Sequence, residues 1–162
     1  MSDQGETRRI VQRGLYFEEF EEGALYAHAP GRTVTEADNV LFTTLTMNTQ
    51  SLHLDAAWSA GTEFGERLVN SMFTLSTLVG LSVAQLTQGT IVANLGFESV
   101  RFPAPVRVGD TLYAETLVTE KRLSSSRPGQ GIVEFAHTMR NQRGEVVAEA
   151  TRKTLMLCRP QA

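Results

Sequence analysis

Three histidines are the side chains of this sequence best suited to acid–base chemistry near neutral pH, where imidazole titrates. His28 falls in a predicted short strand and His137 in a longer alternating one, so a structural or exposed role is expected for both. His53 instead lies in the polar segment MNTQSLHLD at 47–55, between two predicted helical pieces. The apolar pattern gives His53 no place in a core, and loops on a rigid scaffold often carry catalytic groups. The residues alone leave His53 open between a catalytic and a structural role.

Most other chemistries lack their motifs in this chain. The sequence has no Gly-rich phosphate loop, no GxSxG and no cluster of metal-ligand residues, so no metal or separate cofactor is expected. Its formal net charge of −3 argues against nucleic acid as a partner. No apolar run approaches the roughly 20 residues that span a bilayer, and the N-terminus lacks a signal-peptide pattern. The single Cys158 cannot form an internal disulfide, which favours a cytoplasmic location.

The segment around His53 is framed by two predicted helix starts. Thr35-Glu36-Ala37-Asp38 has the form of a capping box, which predicts a helix. Its apolar stripe is Val40, Leu41 and Leu45, with Phe42 as a further candidate. Asp55 is a candidate N-cap for a second, short helix. Both helices would hold the histidine segment against the rest of the domain.

A long helix and a run of strands make up the rest of the chain. The helix is predicted over 70–88 and is apolar around nearly its whole circumference, which predicts burial on most sides. Ser76, Gly80 and Ala84 form one narrow face that would allow close packing. Strands are predicted at 91–102, 110–122, 131–140 and 146–157. This order predicts an α+β domain over 14–162, preceded by a flexible tail over 1–13.

Several segments together resemble the MaoC-like (R)-specific enoyl-CoA hydratases. That family combines a T-x-x-D helix start with a D-x-N-P-[LI]-H-x-D signature; here Thr35–Asp38 matches the start, and NTQSLHLD at 48–55 keeps the spacing. FPAPVRVGDTL at 102–112 and NQRGEVVAE at 141–149 also resemble family segments. The resemblance covers nearly the whole chain from 14 to 157. It implies a hot-dog fold, in which an antiparallel sheet wraps around a long central helix, and edge-to-edge pairing into a homodimer.

The resemblance also implies a reaction and its residues. Members of this family add water across the C2=C3 double bond of a 2-enoyl-CoA thioester, so coenzyme A would enter only as part of the substrate. A catalytic Asp/His pair activates the water; His53 matches the histidine, and Asn48 stands where the aspartate belongs. Backbone N–H groups of Ser71 and Met72, at the start of the long helix, would stabilise the thioester oxyanion.

Asn48 leaves three accounts of the mechanism open, because an amide cannot take a proton. His53 acts as the sole acid/base while Asn48 orients water, or Asp55 or Asp38 replaces the missing carboxylate, or the domain only binds acyl-CoA. The first account suits a dicarboxylic substrate such as mesaconyl-CoA or itaconyl-CoA, since Asn48 avoids repulsion with the second carboxylate. A hot-dog acyl-CoA thioesterase is the alternative enzyme.

Other residues have two interpretations each. Arg101, Arg107 and Arg127 could pair with coenzyme A phosphates, although solvated charges are more common. Asp110 is expected to stabilise a turn. Trp58 and Phe64 are candidates for the acyl pocket or for the core.

Overall fold

The alternation of apolar and polar residues after Gly89 produces four long strands. The computed structural model describes residues 7–161. The four strands are β3 (Ile91–Arg101), β4 (Thr111–Leu123), β5 (Gln130–Arg140) and β6 (Val146–Leu157); the short β1 (Leu25–Ala27) and β2 (Arg32–Thr33) precede them. The helices are α1 (Glu36–Leu45), α2 (Ser51–Leu54), α3 (Ala56–Ala60) and α4 (Ser71–Ser82). The predicted long strands agree with these bounds to within a residue or two.

All strand pairs in the described chain are antiparallel, and the strands run in the order β1-β4-β5-β6-β3, with β2 also paired to β4. Every second residue of β5 is buried, which puts Val133, Phe135 and Met139 on one face of the sheet. α4 packs against that face through contacts with β4, β5 and β6, and its Leu78 is fully buried. The α+β hot-dog arrangement, a sheet around a central helix, is therefore confirmed.

α4 begins at Asn70, whose side-chain Oδ1 accepts the Met72 N–H at 3.0 Å. After Ser82 the helix widens into a π-helical segment, Val83–Thr87. One side of the helix is exposed, the narrow face of Ser76, Gly80 and Ala84. No element of the described chain covers this small-residue face, so its close packing within the chain is not observed.

α1 starts as predicted but turns a different face inward. Thr35 and Asp38 form the capping box: the Asp38 N–H donates to Thr35 Oγ1 at 3.2 Å, and the Thr35 N–H donates to Asp38 Oδ2 at 2.8 Å. The predicted apolar stripe is wrong at Leu41 and Leu45, which are 60% and 73% exposed. The buried residues of α1 are instead the polar Asn39 and Thr43. Their hydrogen bonds to neighbouring segments explain this choice of face.

Residues 1–6 of the predicted tail lie outside the described residues. Positions 7–12 are exposed and belong to no helix or strand, whereas Arg13 pairs with Glu19 at 2.7 Å. The domain boundary at 14 stays a prediction. Within residues 7–161, no helix is long and apolar enough to cross a bilayer.

Candidate active site

A cavity of about 390 Å³ opens at the start of α4. Its wall is largely apolar, and its polar side chains within the described chain are those of His53, Ser71 and Thr74. The apolar wall consists of Leu52, Phe64, Leu68, Val69, Phe102, Pro103, Ala104, Pro105, Val106 and Val147. One imidazole therefore faces an apolar space beside a helix N-terminus.

His53 lies in α2 and is held by hydrogen bonds at its ring and its backbone. Its Nδ1 is 2.9 Å from the carbonyl oxygen of Leu68. A carbonyl oxygen only accepts, so Nδ1 carries the proton and Nε2 keeps a lone pair in the neutral ring. The backbone carbonyl of His53 accepts the Asn39 Nδ2–H at 3.0 Å. His53 is thus oriented as a base on the cavity wall.

The start of α4 carries the two predicted oxyanion donors, Ser71 and Met72, in different surroundings. Ser71 lines the cavity. Met72 lies outside the described wall, and its N–H already donates to Asn70 Oδ1 at 3.0 Å. That N–H therefore takes part in the cap of the helix, and its place in the predicted oxyanion site stays a prediction. The Ser71 N–H, at the positive end of the helix, keeps the role as a prediction.

Asn48 closes the turn between α1 and α2. Its N–H donates to the Thr43 carbonyl at 3.0 Å, and its Oδ1 accepts the Gln50 N–H at 3.0 Å. It lies outside the described cavity wall, so the structure does not bring Asn48 and His53 together on that wall. A role for Asn48 in orienting water stays a prediction.

The two candidate substitute carboxylates act as helix caps. The Asp55 side chain accepts the Trp58 N–H at 2.9 Å, at the start of α3. Asp38 completes the capping box of α1 and pairs with Arg32. Both lie outside the cavity wall formed by the described residues.

Of the remaining predicted residues, one lines the cavity and the others lie outside its wall. Phe64 lines the cavity, whereas Trp58 is half exposed and does not. Arg107 Nε donates to Glu66 Oε1 at 2.6 Å, and the side chains of Arg101 and Arg127 are exposed.

Asp110 has the predicted turn role. Its Oδ2 accepts the Arg107 N–H at 2.9 Å, and its Oδ1 accepts from Gln142 and Arg143, each also at 2.9 Å. Burial alone would raise the pKa of this carboxyl. These hydrogen bonds outweigh burial, so the pKa lies below its usual value.

The other two histidines are buried in one hydrogen-bonded chain beneath the end of α4. Arg152 Nε donates to His137 Nε2 at 2.9 Å, so His137 Nδ1–H donates to Thr116 Oγ1 at 2.7 Å. The Thr116 hydroxyl then donates to His28 Nε2 at 2.7 Å, and His28 Nδ1–H donates to Gln85 Oε1 at 2.8 Å. The structural role expected for both histidines is confirmed.

This buried chain keeps both histidines neutral. Burial, and then the nearby Arg152 charge, lower the pKa of His137 to about 3. Burial also lowers the pKa of His28, and it lowers the pKa of Arg152 to about 10. Because neither ring lies on the cavity wall, they contribute to stability and not to the candidate site.

Sequence reasoning missed several residues that build the site. The wall formed by 102–106 belongs to the segment FPAPVRVGDTL, and the resemblance of that segment to the family gives it no role in the site. Asn39 was missed because it follows the capping box inside a helix. An asparagine there is a signal in itself, since it is a poor helix former away from the caps.

Known proteins match this chain along most of its length. The family model described as "MaoC like domain" matches residues 19–140. The mesaconyl-CoA hydratase of Haloarcula marismortui is 32% identical over 97% of this chain and 43% of its own length. The (R)-specific enoyl-CoA hydratase of Rhodospirillum rubrum is 33% identical over 64% of this chain and 69% of its own length.

A solved protein of Mycobacterium tuberculosis with a double hotdog fold superposes with a TM-score of 0.80 and 25% identity. The match covers 92% of this chain and 46% of that one. The chain also spans less than half the length of the first curated relatives that it matches. The match to the family model over residues 19–140 shows that the chain belongs to the MaoC-like domain family.

Proposed function

We propose that this chain adds water across the C2=C3 double bond of a 2-enoyl-CoA thioester. The observation that carries the proposal is His53, whose ring is fixed by the Leu68 carbonyl and whose Nε2 is free to accept a proton beside an apolar cavity. The relatives named mesaconyl-CoA hydratase and (R)-specific enoyl-CoA hydratase support it.

In the proposed reaction His53 moves one proton. Nε2 takes a proton from water as the water oxygen bonds to C3, and the π electrons move onto the thioester oxygen. The imidazolium then returns that proton to C2 as the carbonyl re-forms. The Ser71 N–H at the start of α4 stabilises the transient oxyanion. Coenzyme A takes part only as the carrier of the acyl group.

The cavity wall favours an acyl chain without a second charge. The described wall contains no lysine or arginine, so a second carboxylate there would be desolvated without a cationic partner. Asn48 and the relative named mesaconyl-CoA hydratase favour a dicarboxylic chain instead. We propose the uncharged chain, with the acyl group lying against this wall.

The active assembly is proposed to be a homodimer. β3 ends the sheet of the described chain, with β6 as its single neighbour, and it exposes Val92, Leu95 and Phe97. The exposed face at Ser76, Gly80 and Ala84 would let a second α4 approach closely. The chain matches 46% of a relative with a double hotdog fold, and two copies would reproduce that pairing.

Assays of the purified protein with crotonyl-CoA and mesaconyl-CoA test this function. Mass analysis should show a product heavier by one water, formed at least tenfold faster from crotonyl-CoA. Equal or faster hydration of mesaconyl-CoA would contradict the uncharged chain. Release of free coenzyme A thiol without a hydrated thioester would show a thioesterase, and binding without turnover would show an acyl-CoA-binding protein.

A further inference from the structure

Asn39 is a fully buried amide on the inward face of α1, with 0% of its surface exposed. Asparagine has low helix propensity, and burying an amide is costly unless its donors and acceptor are all satisfied. Here they are satisfied entirely by backbone groups of two other segments. Helix stability therefore does not explain why an asparagine occupies this buried site in α1.

The Asn39 side chain joins the His53 segment to the start of α4. Nδ2 donates to the His53 carbonyl at 3.0 Å and, at 3.5 Å, to the Leu68 carbonyl. Oδ1 accepts the Asn70 N–H at 2.9 Å. One amide group thus contacts the backbone of the base-bearing helix and that of the residue that caps α4.

The Leu68 carbonyl connects Asn39 directly to the imidazole of His53. The same oxygen accepts from Asn39 Nδ2 and from His53 Nδ1. The direction of this carbonyl determines which ring nitrogen of His53 carries the proton and how the ring is turned. Asn39 therefore acts on the His53 ring through a group that both of them share.

Only an amide supplies this combination of groups. An aspartate has the same shape and still accepts the Asn70 N–H, but it would place a carboxylate oxygen against the carbonyls of His53 and Leu68. An alanine would leave the buried Asn70 N–H without its partner. Asn39→Asp thus removes the donor and keeps the acceptor, whereas Asn39→Ala removes both.

We propose that Asn39 is a positioning residue that sets the tautomer and direction of the His53 ring relative to the first turn of α4. The expected effect on turnover rests on the proposed hydratase function. The expected effect on the tautomer of the His53 ring is independent of that function. Asn39 touches no reacting atom. It fixes the geometry between the proton-transfer group and the predicted oxyanion donor, and a small misplacement between such groups lowers turnover strongly.

The variants Asn39→Asp and Asn39→Ala test the proposal, with Thr43→Val as the matched control. Thr43 is equally buried one turn later on the same face, and within the described residues its hydroxyl accepts a hydrogen bond from the Asn70 side chain alone, at 3.2 Å. Both Asn39 variants should lower kcat for crotonyl-CoA by about 10- to 100-fold with KM within about threefold. Thr43→Val should change kcat less than threefold. The pH dependence of kcat should shift in the Asn39 variants and not in the control.

Nitrogen chemical shifts of the His53 ring provide a readout that needs no activity. The wild type should show the Nδ1–H tautomer, and Asn39→Asp should show a mixture of tautomers. A wild-type tautomer and wild-type kcat in folded Asn39→Asp, or the same loss of kcat in Thr43→Val, would overturn the proposal. If no enoyl-CoA is hydrated, the proposed function fails, while the ring tautomer still decides the role of Asn39.

Discussion

At the scale of single residues, the neighbours of His53 determine what it can do. The Leu68 carbonyl fixes the proton on Nδ1, which leaves Nε2 as the only basic position of the ring. Asn48 stands at the sequence position where the family pattern has an aspartate. Its side-chain Oδ1 accepts the Gln50 N–H. In this chain the ring of His53 is thus supported by one backbone carbonyl, that of Leu68.

Variants at Asn48 separate a support role from a catalytic one. Asn48→Asp keeps an acceptor for the Gln50 N–H, so kcat should stay within about threefold of wild type. Asn48→Ala removes one hydrogen bond, worth about 1 kcal/mol, from the turn before α2, and should lower kcat about fivefold. Steady-state kinetics with crotonyl-CoA measure both. A rise of more than tenfold in Asn48→Asp would show instead that a carboxylate at this position takes part in the chemistry.

The buried histidines make stability depend on pH. The folded-state pKa values of His28 and His137 lie below the ordinary 6.5, so the unfolded chain binds more protons as the pH falls below that value. Their contribution is fully present above pH 6.5 and is lost as the pH falls toward the folded-state values. Between pH 6.5 and about pH 5, His137 alone should lower the free energy of unfolding by roughly 1.5 kcal/mol.

Urea denaturation between pH 6.5 and about pH 5 measures this change in the free energy of unfolding. This pH range lies above that in which most carboxylates titrate. The ring resonances of His137 should not titrate between pH 8 and about pH 5 in the folded protein. A free energy of unfolding that stays constant or increases as the pH falls would contradict the buried, neutral histidines.

At the scale of elements, the local signals of the sequence predicted the framework well. The capping box at Thr35, the N-cap at Asp55 and the alternation after Gly89 each depend on neighbours in the chain, and each was confirmed. The inward face of α1 could not be predicted in this way. Asn39 and Thr43 face inward because their partners lie in the His53 segment and at Asn70, which are distant in sequence.

The candidate site was predicted in part for the same reason. His53 and Ser71 were identified from a resemblance, and both line the cavity. The exposed side of α4 depends on three-dimensional neighbours that no local pattern contains. The Met72 N–H is instead occupied by Asn70, two residues earlier, as a local N-cap. The segment at 102–106 resembles a family segment in the sequence, but only the fold brings it to the cavity that His53 lines.

Replacement of Asp55 tests the helix-cap role at the element scale. Asp55→Ala removes the acceptor for the Trp58 N–H, which should lower the free energy of unfolding by about 1 kcal/mol. Activity on crotonyl-CoA should change less than twofold. Urea denaturation and kinetics on the same preparation measure the two effects. A loss of activity as large as that of a His53 variant would identify Asp55 as the substitute carboxylate.

At the scale of the whole molecule, the exposed edge of the sheet predicts the assembly. Leu95 and Phe97 are 50% and 39% exposed on β3, the strand that ends the described sheet. An exposed apolar edge strand tends to pair with another chain. This edge is the surface expected to meet a second copy.

A charge at this edge should separate the proposed dimer. Leu95→Glu would bury a carboxylate at the interface, so light scattering coupled to size exclusion should show a monomer. Leu123→Glu is the matched control, because Leu123 is 64% exposed on β4, which lies away from the β3 edge. It should remain dimeric. A dimer in Leu95→Glu, or a monomer in the wild type, would contradict the predicted interface.

The most direct measurement is hydration of crotonyl-CoA by the wild type and by His53→Ala. Removing the only base on the described wall should lower kcat by at least about 100-fold. Circular dichroism and thermal unfolding should remain close to wild type, because the side chain of His53 is only half buried. Hydration at the wild-type rate by folded His53→Ala would show that this histidine does not carry the reaction.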